Sequence, residues 1–88
     1  MKRNSDFLLR DVAGMLVVVP VGSAVQEFSG MMMLNATGAY LWELLENEQT
    51  VASLTDALVA RYDIGAEQAQ ADVVEFLEKL KPTGAVSL

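Results

Sequence analysis

Carboxylates are the side chains whose type and spacing in this sequence come closest to a chemical site. They form two groups, one near the middle of the chain and one in its last third. The six residues are Glu43, Glu46, Glu48, Asp72, Glu75 and Glu78. Oxygen ligands of this kind can hold Ca²⁺, but the D-x-D-x-D-G spacing of a calcium loop is missing. We therefore interpret both groups as solvated helix faces, with Glu75 and Lys79 as a surface pair four residues apart, and we predict no metal site.

The sequence lacks several residue types that other kinds of catalytic site use. The sequence contains neither histidine nor cysteine, which removes the commonest general base, the usual nucleophile dyads and most zinc sites. Gly22, Gly30 and Gly38 are too far apart for a G-x-G-x-x-G phosphate loop. Trp42 could stack on a ligand, but a tryptophan in an apolar helix is more often part of the core. We predict that the protein is not an enzyme and binds no cofactor.

The charge balance bears on possible partners. Six basic and twelve acidic residues give a net charge of −6, which repels the phosphate backbone of nucleic acids. The apolar runs are of strand length, too short to cross a membrane, and no hydrophobic region follows Lys2 and Arg3 as in a signal peptide. We expect a single domain over residues 1–88 that is cytoplasmic and binds neither nucleic acid nor membrane.

The segment from Gly30 to Glu46 is the predicted centre of the fold. Its first part, Met31 to Leu34, has the length and composition of a strand. Asn35 is a typical helix N-cap, and the residues after it are apolar on nearly every side of a helix of about three turns. A helix with so little polar surface belongs in the middle of a domain.

Further strands and helices surround this centre. Phe7 to Val12 and Met15 to Pro20, separated by Ala13-Gly14, predict a β-hairpin that Met31 to Leu34 extends to a meander. Thr50 is expected to cap an amphipathic helix that ends at Asp63-Ile64-Gly65, and the last helix is expected from about Ala66 to Lys81. The predicted fold class is α+β: a small winged helix-turn-helix-like domain with a three-stranded antiparallel meander followed by three α-helices.

The run of three methionines is the least ordinary feature of the third strand. Because side chains alternate along a strand, Met31 and Met33 point one way and Met32 and Leu34 the other. If the strand lies at the sheet edge, its free N–H and C=O groups invite an added strand from a partner. Alternatively, all four side chains fill the core. The pattern alone leaves both readings open.

The segment Leu34-Asn35-Ala36-Thr37-Gly38-Ala39-Tyr40-Leu41-Trp42-Glu43-Leu44-Leu45 resembles the PqqD family, whose members carry L-N-x-T-G-x-x-[IL]-W-x-L-[IL] after a strand. The similarity continues through Arg61-Tyr62-Asp63 and Ala71-Asp72-Val73 to Phe76-Leu77-x-x-Leu80. It covers nearly the whole chain.

This resemblance implies a non-catalytic peptide-recognition domain. Such domains bind the leader segment of a ribosomally synthesised precursor peptide and present it to a modifying enzyme, often a radical SAM protein. The leader adds as a strand to the third strand, in the groove beside the last helix. Carried over to this chain, the peptide-binding residues would be Met31, Met32, Met33 and Leu34. An angle count on the last helix, in which Val74 lies outside the main apolar stripe, places Gln70, Val74, Leu77 and Lys81 opposite them.

Two alternatives belong to other functional classes. One is a winged-helix DNA-binding transcriptional regulator, which the predicted topology permits and the acidic charge opposes. The other is a structural dimerisation module that uses the same strand edge to form a homodimer, which could coexist with peptide binding.

Overall fold

The structure is a computed structural model and describes residues 1–22 and 32–87. Met31, the first residue of the predicted third strand, lies outside the described residues. The strands are β1 Lys2–Arg3, β2 Phe7–Val12, β3 Met15–Pro20, β4 Met32–Leu34 and β5 Val86–Ser87. The helices are α1 Ala36–Leu44, α2 Val51–Tyr62 and α3 Ala66–Leu80, with a short 3₁₀ turn at Lys81–Thr83. The predicted three-stranded antiparallel sheet followed by three helices is confirmed.

A tight turn joins β2 to β3. The antiparallel register runs from Phe7 opposite Pro20 to Val12 opposite Met15. The two turn residues, Ala13 and Gly14, have φ angles of 54° and 85°, and positive φ at both central positions is what a type I′ hairpin turn requires. The predicted hairpin is therefore present, with an alanine in a backbone region that glycine and asparagine occupy more readily.

Strand β4 completes the sheet in the order β2-β3-β4. It pairs antiparallel with β3, with Met32 opposite Val18 and Leu34 opposite Leu16. Met32 and Val18 are buried in the main core, whereas Met33 is 56% exposed. The alternation that the sequence left open thus resolves with Met32 directed to the core and Met33 directed away from it.

Helix α1 lies at the centre of the fold, as expected. It starts where Asn35 accepts a 2.8 Å hydrogen bond from the backbone N–H of Gly38 through its side-chain oxygen. Leu41 and Trp42 are at most 1% exposed, and Leu45, which caps the C-terminus, is fully buried. The helix ends at Leu44, two residues before the end of the predicted central segment at Glu46. Trp42 therefore belongs to the core and not to a ligand site.

Helix α2 begins with a capping box. The Thr50 hydroxyl accepts a hydrogen bond from the Ser53 N–H at 3.0 Å, and the Ser53 hydroxyl accepts one from the Thr50 N–H at 2.9 Å. These two bonds satisfy N–H groups that a helix start otherwise leaves without partners. The predicted cap at Thr50 is confirmed. At the other end, Asp63 adopts φ 51° and stops the helix.

Replacing Thr50 with alanine should lower the free energy of unfolding by about 1 kcal/mol, because the Ser53 N–H loses its side-chain acceptor. Thr50→Ser keeps the hydroxyl and is the matched control. Urea denaturation followed by far-UV circular dichroism would measure both variants. Equal stability of the alanine and serine variants would show that the capping box contributes little.

Helix α3 contributes a large share of the core. Its residues Ala69, Val73 and Leu80 are fully buried, as are Leu54 and Leu58 of α2. These side chains share one apolar cluster with Trp42 and the inward face of the sheet. None of the helices within residues 1–22 and 32–87 is long and apolar enough to cross a membrane.

A second, two-stranded sheet was not predicted. Strands β1 and β5 pair antiparallel, with Lys2 opposite Ser87 and Arg3 opposite Val86. Arg3 fastens this sheet to the end of α1, since its backbone N–H donates to the Leu45 carbonyl at 2.8 Å and its side chain donates to the Trp42 carbonyl at 3.2 Å. Strands of two residues are too short to show a period-two pattern in the sequence.

Candidate functional site

A groove runs between β4 and α3, with the first turn of α1 as its floor. It encloses about 180 Å³, less than the roughly 300–1,000 Å³ that is usual for small-molecule sites. The strand and the start of α1 contribute Met33, Leu34, Asn35, Thr37 and Gly38, and Leu41 lies behind them. Helix α3 contributes Asp72, Glu75, Phe76 and Lys79.

The strand wall of the groove is a sheet edge. Within the described part of the chain, β4 pairs with β3 on one side and has no strand on the other. In an antiparallel pair, only every second residue of an edge strand directs its N–H and C=O outward. The Nζ atom of Lys79 donates to the Met33 carbonyl oxygen at 2.8 Å. Since this lysine approaches from α3 and not from β3, Met33 is the residue of β4 whose backbone groups face outward.

The floor of the groove depends on a close approach between α1 and β4. Gly38 is buried, and a Cβ atom at this position would lie 3.3 Å from Asn35 Oδ1 and 3.4 Å from Leu34 Cβ. The first distance is tighter than most Cβ contacts and the second is at the short end of ordinary van der Waals contact, so glycine lets the start of the helix lie close against the strand. Gly38 is therefore a close-packing position between α1 and β4.

The helix wall of the groove combines one apolar side chain with three charged ones. Phe76 is 7% exposed and belongs to the core, while Asp72, Glu75 and Lys79 surround it with charge. The expected pair between Glu75 and Lys79 is wrong: the ammonium of Lys79 bonds to Met33, and the ion pair found within the described residues joins the Met1 ammonium to Glu48.

The structure brings only part of the predicted site together. Met33 and Leu34 line the groove, whereas Met32 and Leu77 are buried in the core at 7% and 2% exposure. Gln70 lies in a separate depression between α3 and the start of α2.

The remaining predicted positions are both exposed. Val74 is 37% exposed, and at 100° per residue it lies about 160° around α3 from Phe76. Lys81 lies past the end of α3. Peptide contacts by Gln70, Val74, Leu77 and Lys81 stay predictions. The residues of α3 that line the groove are different ones: Asp72, Glu75, Phe76 and Lys79. The helical period distinguishes the flank of α3 that carries Val74 from the flank that carries Lys79. It does not indicate which of the two flanks faces β4.

The acidic groups named from the sequence have different surroundings. Glu43, Glu46 and Glu48 are exposed, and Glu48 accepts a 2.6 Å hydrogen bond from the Met1 ammonium. Asp72 accepts one from the Gln68 side chain at 2.8 Å. Over residues 1–22 and 32–87, no group of three or more acidic side chains is arranged to hold a metal ion.

Comparisons with known proteins agree on the type of fold. Similar solved structures include TbiB1 in complex with the TbiA(beta) leader peptide, with a TM-score of 0.76, 21% identity, and coverage of 99% of this chain and 95% of that one. Another is lasso peptide synthetase B1 complexed with the leader peptide, with a TM-score of 0.71, 18% identity, and coverage of 94% and 92%. No curated protein sequence matches this chain significantly. The family model for coenzyme PQQ synthesis protein D (PqqD) matches residues 10–86, and the chain therefore belongs to the PqqD family.

Proposed function

We propose that this protein binds the leader segment of a ribosomally synthesised precursor peptide as a strand added to β4, and presents it to a modifying enzyme. The observation that carries the proposal is the outer edge of β4, which faces the groove beside α3 and has no strand partner within the described residues. The protein itself would supply binding and positioning and no catalytic group.

The chemistry of the groove suits an extended peptide. Backbone pairing along an edge strand provides affinity and register for any sequence, while pockets for alternate side chains provide selection. Met33 is exposed and flexible, and methionine adapts its shape to different apolar partners. The small volume between Met33, Leu34 and Phe76 fits one or two side chains better than a whole small molecule.

The comparisons support the same function. The chain belongs to the PqqD family, and the two similar structures reported above are both complexes with leader peptides. We propose a radical SAM protein as the modifying enzyme and the cytoplasm as the location. The net charge of −6 opposes the alternative of a DNA-binding regulator. Pairing of two copies through β4 would use the same edge, so a homodimer would compete with the peptide.

An NMR titration tests this function. The ¹⁵N-labelled protein is titrated with a synthetic leader segment of the precursor peptide encoded beside its gene. We expect the largest amide shifts at Met33, Leu34, Glu75 and Lys79, with slower amide exchange at Met33, because a new strand would pair there. Light scattering before the titration establishes whether the free protein is a monomer.

The same spectra separate the two flanks of α3. Shifts at Gln70, Val74 and Lys81 would support the angle count from the sequence, whereas shifts at Asp72, Glu75 and Lys79 would support the groove. Shifts that spread over the helices and spare β4 would contradict strand addition. Saturating leader peptide without any shift would contradict binding by the protein alone.

A further inference from the structure

Lys79 occupies the backbone acceptor that an added strand would need. Its Nζ atom donates to the Met33 carbonyl oxygen at 2.8 Å, across the groove from α3 to β4. Met33 is the residue of β4 whose N–H and C=O face outward, because outward groups alternate along an antiparallel edge. The same carbonyl is thus the natural acceptor for an N–H group of an incoming strand.

A cation placed on a strand edge has a known effect. Natural sheets protect exposed edges with lysine side chains, which discourage pairing with other strands. Lys79 does this from a neighbouring helix, and it bonds directly to the edge carbonyl. The contact is exposed to solvent, so its net contribution is modest and an incoming strand can displace it.

A second partner for the displaced lysine lies on the same helix. Glu75 is four residues before Lys79 and lines the same groove, a spacing at which glutamate and lysine side chains on a helix can pair. In the peptide-free structure the ammonium turns to Met33. Movement of one side chain would therefore free the edge without leaving the lysine charge alone among apolar groups.

We propose that Lys79 is a latch on the binding edge. It holds the Met33 carbonyl when the groove is empty, and peptide binding transfers its ammonium to the Glu75 carboxylate while a peptide N–H takes the carbonyl. This inference rests on the proposed function, since it concerns how the same edge becomes available. In this proposal Lys79 lowers the affinity for the leader peptide and Glu75 raises it, although both side chains line the same groove.

The test is a double-mutant cycle with the synthetic leader segment described above, read as Kd by isothermal titration calorimetry at protein concentrations where light scattering shows a monomer. Lys79→Met removes the ammonium and keeps an apolar stem. It should tighten binding about fivefold, because one exposed hydrogen bond no longer has to be broken. Glu75→Gln should weaken binding about twofold, since it removes the acceptor for the released lysine.

The coupling between the two positions distinguishes a latch from a general charge effect. In the Lys79→Met background, Glu75→Gln should have no effect on Kd, because no lysine remains to be accepted. Lys2→Met and Glu78→Gln are the matched controls: they change the same charges at exposed positions that do not line the groove, and they should leave Kd unchanged.

Three different results would overturn the inference. If wild type and Lys79→Met bind the leader segment with equal Kd, or if Lys79→Met binds more weakly, the latch is wrong while the peptide-binding function stands. If neither protein binds, the proposed function fails and the latch fails with it. A Glu75→Gln effect that persists in the Lys79→Met background would show that Glu75 contacts the peptide and does not receive the lysine.

Discussion

Trp42→Ala should lower the free energy of unfolding by about 3–5 kcal/mol, the largest stability loss that we expect from a single substitution. Trp42 is 1% exposed, and it shares its cluster with Leu41, Leu45 and the buried residues of all three helices. Small domains have a total stability of about 5–15 kcal/mol. Because the chain has no cysteine and so no disulfide to compensate, the variant should be largely unfolded near physiological temperature.

Thermal and urea unfolding, followed by far-UV circular dichroism, would measure this loss without depending on tryptophan fluorescence. Tyr62→Ala is the matched control, because it removes an aromatic ring that is 36% exposed and should cost about 1 kcal/mol. Similar losses in the two variants would show that the core does not depend on the central helix in the way that the burial of Trp42 indicates.

Met33→Pro should abolish most leader binding while the fold survives, with an affinity loss of at least about tenfold. Proline has no N–H to offer a peptide carbonyl, and its ring occupies the edge where the new strand would lie. The Met33 backbone faces α3 and not β3, as its bond to Lys79 shows. Proline is tolerated on an edge strand when the missing N–H would point away from the sheet.

Met33→Ala is the control for this variant, because it shortens the same side chain and keeps the backbone N–H. Calorimetry with the synthetic leader segment gives both affinities, and circular dichroism reports the fold. Equal binding by the proline and alanine variants would contradict strand addition to β4. Unfolding of Met33→Pro would instead show that the Met33 N–H belongs to the ladder with β3.

Local signals in the sequence explain why much of the fold could be predicted. Asn35 and Thr50 cap helices through hydrogen bonds to residues three positions ahead, so the necessary information lies within one helical turn. The hairpin turn likewise depends on two adjacent residues, Ala13 and Gly14, which both have positive φ angles. The buried faces of α2 and α3 could be predicted as well, because apolar residues recur along each helix at spacings of three and four.

The parts that could not be predicted depend on contacts between distant segments. The pairing of Arg3 with Val86 joins residues from opposite ends of the sequence, and neither segment has a pattern of its own. The flank of α3 that faces β4 depends on how the helix packs on the sheet. Lys79 looked like a helix-surface residue beside Glu75, because nothing in the local sequence indicates that the Met33 carbonyl lies within 2.8 Å of its ammonium.

The terminal sheet has a consequence for how this domain can be tethered. Because Lys2 lies opposite Ser87, a protein fused before β1 and a protein fused after β5 would be attached to neighbouring strands, about 5 Å apart. That sheet is fastened to the end of α1 at Trp42 and Leu45, whereas the groove lies at Asn35 and Gly38. The nine residues of α1 lie between Asn35 and Leu45, a length of about 13 Å. A linker on either strand would therefore leave from the end of α1 that is farther from Asn35, and a short flexible linker would hold an attached enzyme near the bound peptide at millimolar effective concentration.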